Sequence, residues 1–401
     1  MSTVRTAVAG GTTVLVEAFH AVPLVSIVVA LRSGTAQDPA GKEGTARLAT
    51  RMLRRGCEGM TQEQIENELD RLGAEIGVDA GVSSVSIHAQ VIGRNLDAFV
   101  DLLARLLATP TFPEDELERL KRETVAELIE AKDSDRSLAQ KAFQRTLFAG
   151  HPYGRSAAGT TASVASITRD DARASWARAF VRGNVVLGFA GDVTAERANA
   201  LAEKLVAKLP AGDALPDGVP EPAPPHGRRL LFVDKPERSQ TQILIGALGT
   251  SPHDPDHTAF GVANAIFGGT FTSRLMRAVR SERGWSYGAY SRLAIDRRRQ
   301  AFSMWTFPGA ADAAACIALQ LELLEGYVRD GMKPEELEFI KQYLTRSYAF
   351  EIDTAQKRLH SYANSVLLPP AGSVFVSQLP RPPGTPSKAL AENTPLTPAV
   401  R

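Results

Sequence analysis

The sequence is short of cysteine, of long hydrophobic runs and of excess charge, and each shortage excludes a class of protein. Its 401 residues include only Cys57 and Cys316, which lie far apart, so we expect neither a disulfide framework nor a cysteine-ligated zinc site. No run approaches the roughly 20 apolar residues of a membrane-spanning helix. The formal net charge is +1, without a dense basic stretch, which argues against nucleic acid or a membrane surface as a partner.

The N-terminus shows no secretion signal, because no charged segment leads into an apolar core and a strand pattern begins almost at once. We therefore expect a soluble cytoplasmic protein, although export together with a partner stays open. A chain of 401 residues is too long for one ordinary hydrophobic core, so two or more domains are predicted. The partners that remain are a protein, a peptide or a small molecule.

Hydrophobic periodicity predicts an α+β fold in the first half of the chain. Alternating apolar residues indicate strands, and a period near 3.6 residues indicates helices. The strands are expected around residues 12–19, 23–31, 75–78, 82–91 and 184–190. The helices are expected around residues 44–53, 60–74, 96–107, 112–132, 140–148, 169–180 and 195–209. Thr61 and Gln64 have the spacing of a capping box at the start of the second helix.

The second half repeats the element order of the first. Strands are expected at residues 230–233 and 242–248, and the Asp-Pro pair at Asp38 returns at Asp254. The stretch MKPEELEFIKQYL likewise echoes FPEDELERLKRET. A shared order at a spacing of about 215 to 220 residues indicates an internal duplication. The second copy lacks the strand and helix that end the first copy, so the second domain is expected to be incomplete.

Composition sets the predicted domain boundaries. Residues 210–226 are proline-rich and form a semi-extended linker. This linker separates a first domain, residues 1–209, from a second domain, residues 227–368. The final stretch, residues 369–401, is rich in Pro, Ser and Thr and is expected to be disordered.

The first long helix, GTARLATRML, raises the central question about function. Leu48, Ala49 and Met52 form an apolar stripe, while Arg47 and Arg51 lie four residues apart on the opposite face. Two side chains four apart on a helix can present a pair of zinc ligands. Arginine, however, is only a hydrogen-bond donor and has no lone pair for a metal.

The chain resembles the zinc peptidase family of pitrilysin, insulin-degrading enzyme and the mitochondrial processing peptidase, which has an inverted His-x-x-Glu-His motif. The resemblance runs from about residue 12 to 368 and rests on the duplication and on several motifs. These are the SG…DPAGKEG approach to the first helix, FPEDELER, FAGHPYGRSAAGT and HDPDHTAFGVANAIFGGTFTSRLMRAVRSERGWSYGAYS. It implies two homologous domains, each a mostly antiparallel sheet flanked by helices.

The resemblance also identifies positions for the zinc site. The family's His, Glu and His match Arg47, Thr50 and Arg51, and its third zinc ligand, a glutamate about 75 residues further on, matches Glu127. Three of these four groups are therefore lost. One carboxylate cannot hold zinc, so no metal is expected in this chain. We expect Glu127 to pair with Arg47 or Arg51.

The second half retains the family's substrate-side pair, Arg280 at the end of a helix and Tyr287 at the start of a strand. The resemblance implies that this pair contacts the substrate carbonyl and the developing oxyanion. The leading hypothesis is a non-catalytic subunit that presents Arg280 and Tyr287 to a peptide, while a homologous catalytic subunit with the intact motif supplies the zinc.

Two alternatives stay open. In the first, the chain is a structural or assembly protein of the same fold with no role in proteolysis. In the second, least favoured, the chain is an independent catalyst that uses a different metal site, such as His253 and His257 with the aspartates between them. The ordinary interpretation of this segment is the capped entry to a helix.

Overall fold

The computed structural model describes residues 4–7, 11–216 and 218–367. In the first half, six strands form one sheet and two short strands form a separate hairpin. In chain order the strands are β1 (Val4–Ala7), β2 (Thr13–Ala18), β3 (Leu24–Leu31), β4 (Gly56–Cys57), β5 (Met60–Thr61), β6 (Ala74–Ala80), β7 (Val85–Ile92) and β8 (Val185–Gly191). The order across the large sheet is β1-β2-β8-β3-β7-β6, with β2 and β8 parallel and all other neighbours antiparallel.

The first half contributes a set of helices, most of which cover one face of this sheet or pack around its edge. They are α1 (Thr45–Met52), α2 (Gln62–Leu72), α3 (Leu96–Ala108), α4 (Glu114–Glu130), α5 (Asp135–Leu147), α6 (Thr161–Ser166), α7 (Arg169–Ala179) and α8 (Ala195–Lys208). The main core lies between the sheet and α2, α3 and α8. A second core joins α1 to α4, α6 and α7. The predicted capping box of Thr61 and Gln64 is confirmed at the start of α2.

The second half has a smaller sheet with the same local arrangement. Its strands are β9 (Ile243–Leu248), β10 (Ala289–Leu293) and β11 (Ala301–Thr306), in the order β10-β11-β9. Its helices are α9 (His257–Asn264), α10 (Arg274–Met276), α11 (Ala313–Asp330), α12 (Pro334–Glu351) and α13 (Ala355–Leu367). Two π-helical turns, Ala265–Gly269 and Arg277–Ser281, extend α9 and α10.

The two halves confirm the predicted α+β fold with two domains of the same kind. The antiparallel run β9-β11-β10 corresponds to β3-β7-β6 of the first half. In the first half β3 also pairs with β8, and β8 in turn pairs with β2. Among the described residues of the second half, no strand takes the place of β8 beside β9.

The predicted strand at residues 230–233 is wrong. This stretch is irregular, and its apolar side chains are 51–90% exposed. Its counterpart β2 is held in the first sheet by β8 alone on its inner side. Because no described strand occupies that place in the second half, the apolar pattern lacks a hydrogen-bonding partner. The tail predicted to be disordered, residues 369–401, lies outside the described residues.

The repeated Asp-Pro pair serves different purposes in the two halves. The carboxylate of Asp38 accepts hydrogen bonds from the backbone N–H groups of Gly44, 2.8 Å away, and Ala46, 2.9 Å away, and so holds the start of α1. Burial raises the pKa of Asp38 to about 6. Gly44 has φ of 100°, which favours glycine at this turn. In the second half, Asp254 instead forms an ion pair with Arg299 at 2.9 Å.

Each half covers the sheet of the other with one helix. Helix α13 of the second half packs on the free face of the first sheet, where a Cβ at Gly188 would lie only 2.5 Å from the Leu359 side chain. Helix α5 of the first half packs on the second sheet, where the Arg136 guanidinium lies 3.9 Å from the Trp305 ring centroid. The two halves are therefore joined by an exchange of helices as well as by the linker.

No helix in the described part of the chain has both the length and the apolar character needed to cross a membrane. Cys57 and Cys316 are both buried free thiols. Burial raises the pKa of each thiol, so both are protonated near neutral pH. The two cysteines thus act as small core residues of their respective halves.

Candidate functional site

The first group of candidate residues lies where α1 packs against α4. The predicted ion pair of Glu127 is confirmed, and both arginines take part in it. Arg47 Nη2 lies 3.0 Å from one carboxylate oxygen of Glu127, and Arg51 Nη2 lies 3.2 Å from the other. Arg51 also donates a longer hydrogen bond, 3.3 Å, to the hydroxyl of Thr124. The arginines of the motif and the distant glutamate therefore meet in space.

A second pair of carboxylates on α4, which the sequence interpretation missed, extends this group. Arg55, just beyond the end of α1, binds Glu116 at 3.0 Å and Glu123 at 2.8 Å. Glu123 also lies 3.9 Å from Arg51. The signal was available in the sequence, since Glu116, Glu123 and Glu127 repeat at spacings of seven and four residues, which place them on one helix face. We call Arg47, Arg51, Arg55, Glu116, Glu123 and Glu127 the ion-pair cluster.

The electrostatics of the cluster keep Glu127 ionised. Burial raises the pKa of Glu127, but the hydrogen bond from Arg47 and the charges of Arg51 and Arg47 outweigh this effect, so the pKa lies below its ordinary value. The side chain is still 45% exposed, so the gain in stability is small.

The residues at this place do not fit a zinc ion. Both oxygens of Glu127 are already engaged by arginines, which cannot act as ligands. Thr50 is 2% exposed, and its hydroxyl donates to the backbone oxygen of Ala46 at 2.7 Å. A neutral hydroxyl is also too weakly basic to act as a general base. Within the described ranges, no group of three or more His, Cys, Asp or Glu side chains could hold a metal ion.

The pair His253 and His257 has ordinary roles at the entry to α9. His257 Nδ1 lies 2.8 Å from the hydroxyl of Thr250, and the backbone N–H of His253 donates to the hydroxyl of Ser251. These contacts belong to the turn that starts the helix.

The second group of candidate residues lies in the second half, on the segment that links α9 to β10. Arg280 lies in the π-helical turn Arg277–Ser281, and β10 begins two residues after Tyr287, slightly later than predicted. The Arg280 guanidinium carbon is 4.3 Å from the Tyr287 ring centroid. It is also 5.0 Å from the ring centroid of Phe271, a residue that the sequence interpretation did not single out.

This pair is well placed to meet a ligand from solution. Tyr287 is 74% exposed. Among the described residues no carboxylate pairs with Arg280, because the nearby Glu282 interacts with Arg277 and Arg283. A guanidinium and a phenol side by side form a strong donor set for a carbonyl oxygen or an anionic oxygen. No hydrogen bond, ion pair or ring contact joins this pair to the ion-pair cluster in the described structure.

A salt bridge fixes the segment that carries Arg280. Arg274 Nε lies 2.8 Å from Glu336 on α12, and the Arg274 guanidinium lies 4.6 Å from the Tyr327 ring centroid. Glu336 also accepts a hydrogen bond from the backbone N–H of Lys333. The hydrogen bond from Arg274 outweighs partial burial and lowers the pKa of Glu336 to about 2.

This salt bridge predicts an acid-sensitive contribution to stability. A carboxylate whose pKa is lowered by folding stabilises the protein above its ordinary pKa of 4.5, and this stabilisation is lost as the pH falls towards about 2. We expect Glu336→Gln to reduce the free energy of unfolding at pH 7 by about 1 to 3 kcal/mol. The difference from the original protein should shrink between pH 5 and pH 3, measured by urea unfolding. A difference that stays constant over this range would contradict the assignment.

Two family models of the same peptidase family together match most of the chain. A family model described as insulinase (peptidase family M16) matches residues 13–161, and one described as the peptidase M16 inactive domain matches residues 166–344. A non-peptidase homologue from Helicobacter pylori is 24% identical over 88% of this chain and 81% of its own length. An uncharacterised zinc protease from Mycobacterium leprae is 28% identical over 84% of this chain and 76% of its own length.

A solved structure supports the same relationship. The crystal structure of a peptidase M16 inactive domain from Pseudomonas fluorescens superimposes with a TM-score of 0.84 at 27% identity, and the match covers 92% of this chain and 88% of that one.

Proposed function

This chain belongs to the M16 (insulinase) family of peptidases, and we propose that it is the non-catalytic subunit of a two-chain zinc endopeptidase. Its first domain carries arginines where a metal site would need ligands, so hydrolysis requires a zinc-bearing homologous subunit. Its second domain supplies Arg280 and Tyr287 to the peptide that the partner cleaves. The single observation that carries the proposal is the Arg280–Tyr287 pair itself, in which Tyr287 is exposed and the partly buried Arg280 has no carboxylate partner among the described residues.

The pair would act on the carbonyl oxygen of the scissile peptide bond. This oxygen gains negative charge as water attacks the carbon, and preorganised donors stabilise that charge more than they stabilise the ground state. Tyr287 donates its phenolic O–H, and Arg280 donates N–H bonds from a permanently charged group. The ring contact holds the two donors together before the substrate arrives.

The ion-pair cluster has a structural role in this proposal. It links α1 to α4 through charged groups, and it includes Arg47, Arg51 and Glu127, the positions that the family resemblance assigns to the zinc ligands. In the proposed complex, the first domain then forms one side of the cavity that encloses the peptide. An assembly protein without any role in proteolysis would use the same cluster but would have no need for Arg280 and Tyr287.

Affinity purification of the tagged chain from its native cells tests the proposal. We expect a homologue with an intact His-x-x-Glu-His motif to copurify, with about one zinc per pair by elemental analysis. A quenched-fluorescence peptide library should be cleaved by the pair and by neither chain alone. Stoichiometric zinc in this chain, cleavage by this chain alone, or full activity of the partner without it would overturn the proposal.

A further inference from the structure

Phe271 is an exposed aromatic residue that packing in the core does not explain. Its side chain is 67% exposed, in the short connection between the π-helical turn at Ala265–Gly269 and the N-cap Ser273 of α10. A large apolar surface left in water stabilises nothing in the chain by burial. Its one described ring interaction is with Arg280.

The Arg280 guanidinium therefore has two aromatic neighbours. It lies 5.0 Å from the ring centroid of Phe271 and 4.3 Å from that of Tyr287. Both distances are within the range of a cation–π interaction. The two rings come from opposite sides of Arg280 in the sequence, nine residues before it and seven residues after it.

Two ring contacts have a different consequence from a salt bridge. A carboxylate would occupy the N–H donors of Arg280, whereas a phenyl ring attracts the charge and leaves those donors available for a ligand oxygen. An arginine side chain loses much rotamer freedom when it is fixed on a ligand. Rings that restrict it in advance reduce this cost, and so strengthen binding through preorganisation.

We propose that Phe271 is a positioning residue for Arg280, which it holds beside Tyr287 with the guanidinium N–H groups free for a peptide oxygen. The inference rests on the proposed function, in which the Arg280–Tyr287 pair faces the substrate. Phe271 touches neither the scissile bond nor the metal, and it acts through Arg280 alone.

The first test needs no substrate and uses the full chain. The Nε–Hε signal of Arg280, assigned by its loss in Arg280→Lys, should shift in the heteronuclear NMR spectrum when Phe271→Leu removes the ring current. Phe350→Leu is the matched control, since Phe350 is 74% exposed on α12 and has no described ring contact with Arg280. An unchanged Arg280 signal in Phe271→Leu would overturn the inference.

The second test measures peptide cleavage by the two-chain complex. Phe271→Leu should lower kcat/KM by about 2- to 5-fold, as expected for one exposed cation–π contact. In an Arg280→Lys background the same change should have a smaller effect, because the two residues act together. Phe271→Tyr should restore activity, and Phe350→Leu should have no effect. Equal effects of Phe271→Leu in both backgrounds would overturn the positioning role.

The two proposals fail in different ways. If Arg280→Lys leaves kcat/KM unchanged, the proposed function of the pair is wrong. If Arg280→Lys lowers kcat/KM while Phe271→Leu does not, the proposed function stands and the role of Phe271 is wrong.

Discussion

Replacing Tyr287 with phenylalanine is expected to lower kcat of the two-chain complex by about 10²- to 10³-fold, the usual effect of losing one oxyanion donor. The change removes only the hydroxyl group. The ring that packs against Arg280 at 4.3 Å is retained, and 74% exposure means that no core contact is lost. Since the hydroxyl is proposed to act on charge that develops during the reaction, KM should change far less than kcat.

Steady-state cleavage of a quenched-fluorescence peptide measures this effect, and Tyr290→Phe provides the matched control. Tyr290 lies on β10, three residues further on, and its ring stacks on Trp305 at a centroid distance of 5.8 Å. The same loss of one hydroxyl there should change kcat less than about 3-fold, the effect of a weak surface contact. Equal and small effects of the two variants would favour the assembly-protein alternative.

Replacing Arg47 and Arg51 together with histidine is expected to create a zinc site in this chain. The two imidazoles would join Glu127, whose carboxylate already meets both side chains at 3.0 and 3.2 Å, to give the His₂Glu ligand set of catalytic zinc sites. Elemental analysis after dialysis should find about one zinc per chain in the double variant. The original protein, treated in parallel, should retain none.

Two further measurements show whether the zinc is bound as proposed. Adding Glu127→Gln to the double variant removes the third ligand and should abolish retention of the metal. The double variant itself should remain inactive as a peptidase, because the neutral hydroxyl of Thr50 is too weakly basic to take a proton from a zinc-bound water. If the triple variant bound zinc as well as the double variant does, the correspondence between Glu127 and the third ligand would be contradicted.

The elements with a strong local pattern could be predicted from the sequence. The helix with Arg47 and Arg51, the capping box at Thr61 and the long helix of Glu127 follow from local periodicity and capping chemistry. The pairing of Glu127 with the arginines of α1 followed from the spacing of the family motif. The ion pairs that Arg55 forms on α4 did not, because they depend on how α1 packs across α4.

The failures occurred where the structure depends on distant parts of the chain. Residues 230–233 have the composition of a strand, but a strand needs a neighbour, and no local pattern reports whether one is present. Phe271 was missed for a similar reason. Its contact with Arg280 spans nine residues, across α10 and into the π-helical turn that follows it, and an exposed phenylalanine belongs to no sequence motif.

The exchange of α5 and α13 between the two halves has a consequence for the integrity of the molecule. Helix α5 of the first half covers the second sheet, and helix α13 of the second half covers the first sheet, where Leu359 is fully buried. A protease cut within residues 210–226 would therefore leave two fragments that stay associated, since helix packing holds them together without the linker. Separating the fragments would uncover both sheets, so the two halves are expected to unfold as one cooperative unit.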